Sequence, residues 1–266
     1  MSLAMREIER VERRVLGALR CIDATTRAGI DTPLQVTVET ARIQRNRSGL
    51  YVIATATALA EHEAAFAQPP ALPALGSVHL SAMVTDPSGR YLPRRVTLSL
   101  PRDPLPDHAD ALFRPVEVAL YPSSIAPVGE NWAVLRVSLV ETASGDALGG
   151  ALLIVARGAN TLARGLTDWR GEALLPVPGV PVTTWSSDPH AVVVSEIGVD
   201  LTVVFDPASG TRTPATAVSA GTAPALPPMV DPDDIESRAN TLPKVSMAVQ
   251  IAARRVQSLS CQLALP

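Results

Sequence analysis

The sequence predicts a mainly β protein: two tandem antiparallel β-sandwich domains of the immunoglobulin or transthyretin type, with a short helix at each end. Three observations predict it. Short runs alternate apolar and polar residues, as at Val36 and Val38, or at Val96, Leu98 and Leu100, which is the pattern of half-buried strands. Prolines number 24 of 266 residues while aromatic side chains make up only 3%, a balance suited to many short segments ended by turns. Landmarks in the first half of the chain also recur, in order, in the second.

The repeat begins with an apolar strand that runs into an acid, Asp23 in residues 18–38 and Glu141 in residues 136–156. A turn rich in Thr, Ser and Gly follows, then a second apolar strand. Next, a polar turn places Gly49 or Gly171 directly before another apolar strand. Each copy then reaches a strand ending in Asp-Pro, at Asp86 and at Asp206. This order divides the chain into a sandwich over residues 15–105 and a second over 112–210, with the strand at 112–122 opening the second or bridging the two.

Three segments fall outside the sandwiches. Residues 1–14 read as a charged helix, with Met5, Ile8 and Val11 on one stripe that continues to Val15. Residues 211–230, rich in Pro, Ala and Thr, read as a linker. Residues 231–266 read as a helical segment. Its acids Asp231, Asp233 and Asp234 suit a helix N-terminus, and Thr241 with Pro243 suits the start of a second helix. That second helix would carry Val245, Val249, Ala252, Val256 and Leu259 on one face. The face either packs on its own sandwich or docks on a neighbouring subunit, so these five are candidate partner-docking residues.

Composition narrows the function. The net charge is −3, and every basic residue except Lys244 is arginine. The arginines are spread through all segments without interleaved aromatic rings, which argues against nucleic acid as a partner. The N-terminus lacks the apolar run of a signal peptide and no apolar stretch is long enough to span a bilayer. The expectation is a chain made and assembled in the cytoplasm, with no membrane partner.

Chemistry is sparse. His62, His79, His108 and His190 have no histidine or cysteine at metal-ligand spacing, and no nucleophile elbow, P-loop or dinucleotide fingerprint occurs. Asp86, Asp206 and Asp168 read as turn residues, and Cys21 and Cys261 as small packed hydrophobes. No catalytic residue, metal or cofactor is expected. Trp132, Trp169 and Trp185 all fall in the second copy, as packing residues or as a platform for a sugar or surface ligand. The loop over residues 60–76 is a further candidate for such a ligand.

Residues 137–155, then Leu166, Thr167, Asp168, Trp169, Arg170, Gly171, Glu172 and Ala173, then residues 175–181, resemble the carboxypeptidase regulatory-like, transthyretin-like β-sandwich family. The first copy matches less well, because residues 45–49 lack the Thr-Asp pair of the turn. The resemblance implies a non-catalytic module. Two such modules without an export signal are also similar to accessory proteins of contractile phage-tail-like particles. This similarity implies a collar, cap, baseplate or fibre-associated subunit that meets itself or tube, sheath and baseplate proteins, as a homo-oligomer, in a virion or released particle. Deleting residues 231–266 would then leave both sandwiches folded and abolish assembly.

Overall fold

The computed structural model describes residues 15–64, 70–181 and 196–266. The helix expected over residues 1–14, and Trp185, lie outside these residues. The described chain is mainly β, built of short antiparallel strands with few short helices.

The first copy contains β1 (Gly17–Asp23), β2 (Gln35–Val38), β3 (Ala41–Arg45), β4 (Tyr51–Ala56), α1 (Ala60–Ala64), β5 (Val78–Thr85), β6 (Arg94–Leu100) and β7 (Val116–Leu120). They form two sheets, ordered β3-β4-β1-β7 and β2-β5-β6. The alternation that predicts strands also sets the core: Val96, Leu98 and Leu100 of β6 are buried while the residues between them are exposed. β7 lies beside β1 and so completes the first copy's sheet rather than opening the second.

The second copy contains β8 (Ala133–Glu141), β9 (Ala147–Gly149), β10 (Leu152–Arg157), β11 (Asn160–Leu166), β12 (Glu172–Val177), β13 (Glu196–Val204), β14 (Thr211–Thr213), α2 (Ala215–Ser219), α3 (Pro232–Ser237), β15 (Lys244–Ala252) and β16 (Val256–Leu263). One sheet is ordered β11-β10-β13-β15. The other is β12-β8-β9-β14, with β16 also pairing β8. Between them lies one apolar core, to which β8 gives Leu135, Val137 and Leu139, β13 gives Leu201 and Val203, and β12 gives Leu175 and Val177.

The two copies share their strand register. Gly17, Ala18 and Leu19 of β1 face Ile53, Val52 and Tyr51 of β4. Leu135, Arg136 and Val137 of β8 face Leu175, Leu174 and Ala173 of β12 in the same way. They differ at the third main strand, because β3 pairs with β4 whereas β11 pairs with β10. By chain contacts the molecule divides into one unit of Met1–Arg20, Val36–Ala82 and Thr97–Glu117, and another of Cys21–Gln35, Met83–Val96 and Val118–Pro266.

The C-terminal segment corrects the sequence reading. Residues 244–259 form no helix; they belong to β15 and β16. β15 pairs antiparallel with β13 along its whole length, and β16 runs parallel to β8 from Val256 to Leu263. Val245 and Val249 are four residues apart, a spacing that fits a helix stripe and a strand face equally. The deciding pattern is Val245, Met247, Val249 and Ile251, which alternate with Lys244, Ser246, Ala248 and Gln250. β-branched residues at three of those four inward positions favour the pleated surface. Within the expected linker, residues 211–213 form β14 against β9 and residues 215–219 form α2. The helix start expected at the acids does form: Asp231 caps α3 by accepting the Asp233 N–H, and Pro232 opens it.

Candidate functional site

The five proposed docking residues separate. Val249 and Ala252 are buried, Val245 and Leu259 pack partly buried against the core between the two sheets, and only Val256, 58% exposed, faces solvent. Apart from Val256 these residues thus pack within the second copy's own sandwich, on strands rather than on a helical face.

The turns that carry the repeat are closed by their own side chains. Asp168 accepts the Arg170 and Glu172 N–H groups on Oδ1, at 2.8 and 3.1 Å, and the Arg170 guanidinium on Oδ2. Gly171 follows with φ of 73°, and a Cβ there would stand 2.3 Å from the Leu139 carbonyl oxygen, so the turn admits only glycine. In the first copy Asn46 does the same work: its Oδ1 accepts the Ser48 and Leu50 N–H groups at 3.0 and 2.9 Å. The absent Thr-Asp pair is replaced by an asparagine whose amide oxygen reproduces the acceptor. Glu141, buried, accepts from Ser144 and is paired with Arg212. The repeat's acids are structural.

The tryptophans do not form one platform among the described residues. Trp132 is half-buried, and its ring lies so close to Gly129 that a Cβ there would meet it at 2.6 Å. Trp169 is half-buried with the Arg170 guanidinium 6.0 Å from its ring centre. It lines a narrow apolar cleft of about 70 Å³ with Leu92, Pro93, Pro227, Pro228 and Val230. That volume is far below the several hundred Å³ of a typical small-molecule pocket.

Both cysteines are free and buried. Burial pushes the Cys21 thiol up to about 11, against the opposing charge of Arg94, and burial raises Cys261 as well. Burial thus disfavours the thiolate form of both.

Two loops of the first unit carry exposed apolar side chains; the first lies within the candidate loop over residues 60–76, and the second is one the sequence does not mark. Leu72 and Leu75 lie on one, Leu105 and Phe113 on the other, with exposures of 75, 53, 55 and 70%. The loops are tied by the Gly76 N–H donating to the Pro101 carbonyl at 2.9 Å. The second is itself a built structure. Leu112 N–H donates to the Asp103 carbonyl at 2.7 Å, Asp103 N–H to the Asp110 carbonyl, and Arg114 N–H to Ala111, which is fully buried. With Ile125 and Leu226, 73 and 78% exposed, Leu72, Leu75, Leu105 and Phe113 are among the most exposed large apolar side chains of the described residues. The signal in sequence is faint, a leucine or phenylalanine inside Pro-rich loop text.

No protein-family model and no curated protein matches this chain. Among solved structures, the Bacillus anthracis TIE protein aligns with 93% of this chain at 9% identity and a TM-score of 0.24. The chain spans about a third of that protein, 34% of its length. No helix among the described residues is long and apolar enough to cross a membrane.

Proposed function

We propose that this chain is a non-enzymatic structural subunit of a large protein assembly, and that it meets its neighbours through the loops bearing Leu72, Leu75, Leu105 and Phe113. The observation that carries the reading is the exposure of four large apolar side chains on loops fixed by backbone hydrogen bonds. A mobile loop would have to be ordered on binding, at an entropic cost; a pinned one presents its side chains already placed. The repeated sandwiches fit this role as rigid carriers of the loops. The resemblance of residues 137–181 to carboxypeptidase regulatory-like modules supports a non-catalytic part, and a contractile phage-tail-like particle is the assembly we favour.

Sedimentation of lysate from the native host tests it, with the pellet probed for this chain. The chain should pellet with a megadalton particle. The L105D/F113D variant should keep its far-UV circular dichroism yet remain in the supernatant. Recovery of the unaltered chain only as a free monomer or dimer overturns the proposal.

A further inference from the structure

One group of side chains has a chemistry that neither the fold nor the assembly reading uses. Asp103, His108 and Asp110 stand on the loop that follows β6, and one potential ligand atom from each lies within 4.8 Å of the others. The three differ in setting. Asp103 is buried, 7% exposed, whereas His108 and Asp110 are exposed.

The backbone holds the three together independently of their side chains. Asp103 and Ala111 form an isolated parallel bridge, and Asp103 exchanges hydrogen bonds with Asp110 and Leu112. His108 is fixed by its N–H to the Leu105 carbonyl and by its own carbonyl, which accepts from Ala111. Of the Asp103 carboxylate, Oδ1 is occupied by the Leu105 N–H at 2.7 Å. Oδ2 is turned to His108 Nδ1 at 2.6 Å. Two carboxylates thus share a small volume with one imidazole.

We propose that Asp103, His108 and Asp110 form a binding site for a divalent transition-metal ion of the zinc type. Asp103 Oδ2, His108 Nδ1 and one Asp110 oxygen would be the ligands, with water completing the shell. The ligand types choose the metal. Calcium takes six to eight oxygen ligands and magnesium prefers oxygen-rich octahedra, and neither is served by two carboxylates and an imidazole. Zinc accepts nitrogen and oxygen ligands at about 2.0–2.2 Å in a four-coordinate shell. The ligand atoms need only draw in around the ion, and two of the three belong to exposed side chains with room to turn. The buried Asp103 is already oriented by the Leu105 N–H, the outer contact that metal-binding carboxylates commonly have. An ion held here would tie the start of the loop to its far end. This proposal does not depend on the assembly reading, although its loop also carries Leu105 and Phe113 and the Leu105 N–H orients Asp103.

The search for metal ligands by sequence spacing looks for paired histidines and cysteines, so a set of one histidine and two aspartates escapes it.

The test is metal binding by the untagged full-length chain, freed of metal with a chelator. Zn²⁺ is followed by calorimetry and Co²⁺ by its visible d–d absorption. One equivalent of Zn²⁺ should bind, Ca²⁺ and Mg²⁺ should not compete, and the Co²⁺ spectrum should show nitrogen and oxygen ligation. His108→Ala and Asp110→Asn, at exposed positions that leave the fold intact by circular dichroism, should each weaken Zn²⁺ binding at least about tenfold. His79→Ala should leave it unchanged. Absence of Zn²⁺ binding overturns the proposal and leaves the Asp103–His108 pair as a hydrogen-bonded loop staple. Binding that survives both His108→Ala and Asp110→Asn overturns it too.

Discussion

Arg27 and Gly145 hold the same place in the same turn, one in each copy of the repeat. Asp23 N–H donates to the Ala28 carbonyl and Arg27 N–H to Asp23, just as Glu141 N–H donates to Asp146 and Gly145 N–H to Glu141. Both residues are left-handed, with φ of 62° and 75°. An L side chain costs about 1–2 kcal/mol in that region, so the first copy already carries a strain that the second avoids. A Cβ at Gly145 would meet nothing within 4 Å, which leaves only the backbone term. Gly145→Ala should therefore destabilise by about 1 kcal/mol. Arg27→Ala, an exposed non-glycine exchanged for another, should stay within about 0.5 kcal/mol. Urea unfolding of both variants checks this; equal losses would show the two turns are not equivalent.

Arg94 is the largest side chain among those fully buried. Its guanidinium donates to the Ala119 and Arg95 carbonyls and to Asp233 at 2.6 Å, and Asp231 stands 3.4 Å away. It joins the start of β6 to the N-terminus of α3. Arg94→Met keeps most of the volume but removes the donors to the Ala119 and Arg95 carbonyls and the cation beside Asp231, whose side chain is only 11% exposed. Removing one partner of a buried pair costs about 3–5 kcal/mol, and a loss near the lower end is expected by denaturant titration. Asp233→Ala should cost under about 1 kcal/mol, because that carboxylate is 69% exposed.

The features legible in sequence are those that depend on nearby residues. Asp86 lies at its turn because its carboxylate accepts from Ser88 and Tyr91, and Asp206 because it accepts from Ala208 and Ser209; both bonds span a few residues and can be read locally. The strand at Arg94–Leu100 is equally plain from its alternation. Partners far along the chain leave no such mark. Nothing near residue 256 says that β16 will lie parallel to β8, more than a hundred residues earlier. The coincidence that Val245 and Val249 satisfy both periods then turned two strands into an apparent helix. The site residues shared that fate. Burial of Asp103 beside His108 depends on how the whole loop closes, which the spacing of the letters does not encode.

The position of β15 and β16 reverses the expectation that residues 231–266 can be removed without harm to the sandwiches. Removing residues 244–266 strips two strands from the second copy, one from each sheet. Val249, Ile251, Cys261 and Leu263 leave the core, and with them Met247, which packs against it. At about 2 kcal/mol for each large buried aliphatic side chain, the loss approaches the whole stability of a typical domain, about 5–15 kcal/mol. The truncated chain should lose the cooperative thermal transition of its second sandwich. A transition unchanged in midpoint and amplitude would mean that β15 and β16 are dispensable.

Asp206 gives the stability a pH dependence of known sign. Burial by itself would raise its pKa. Hydrogen bonds from Arg238 at 2.9 Å, from the Ser209 hydroxyl at 2.8 Å and from the Ala208 N–H outweigh that, holding the carboxyl below the usual carboxylate range. A group with a lowered folded pKa contributes stability that is fully present above its unfolded value, near 3.9, and fades as pH falls through the folded one. The protein should thus weaken below about pH 4. Asp206→Asn has no charge to lose, so it should be less stable than the parent near pH 6 and show a shallower fall between about pH 6 and about pH 3. Urea midpoints at the two pH values measure the difference. Parallel falls in parent and variant would place the acid sensitivity in other carboxylates, Asp86 first, since its pKa is also lowered, by bonds from Ser88 and Tyr91 that outweigh its burial.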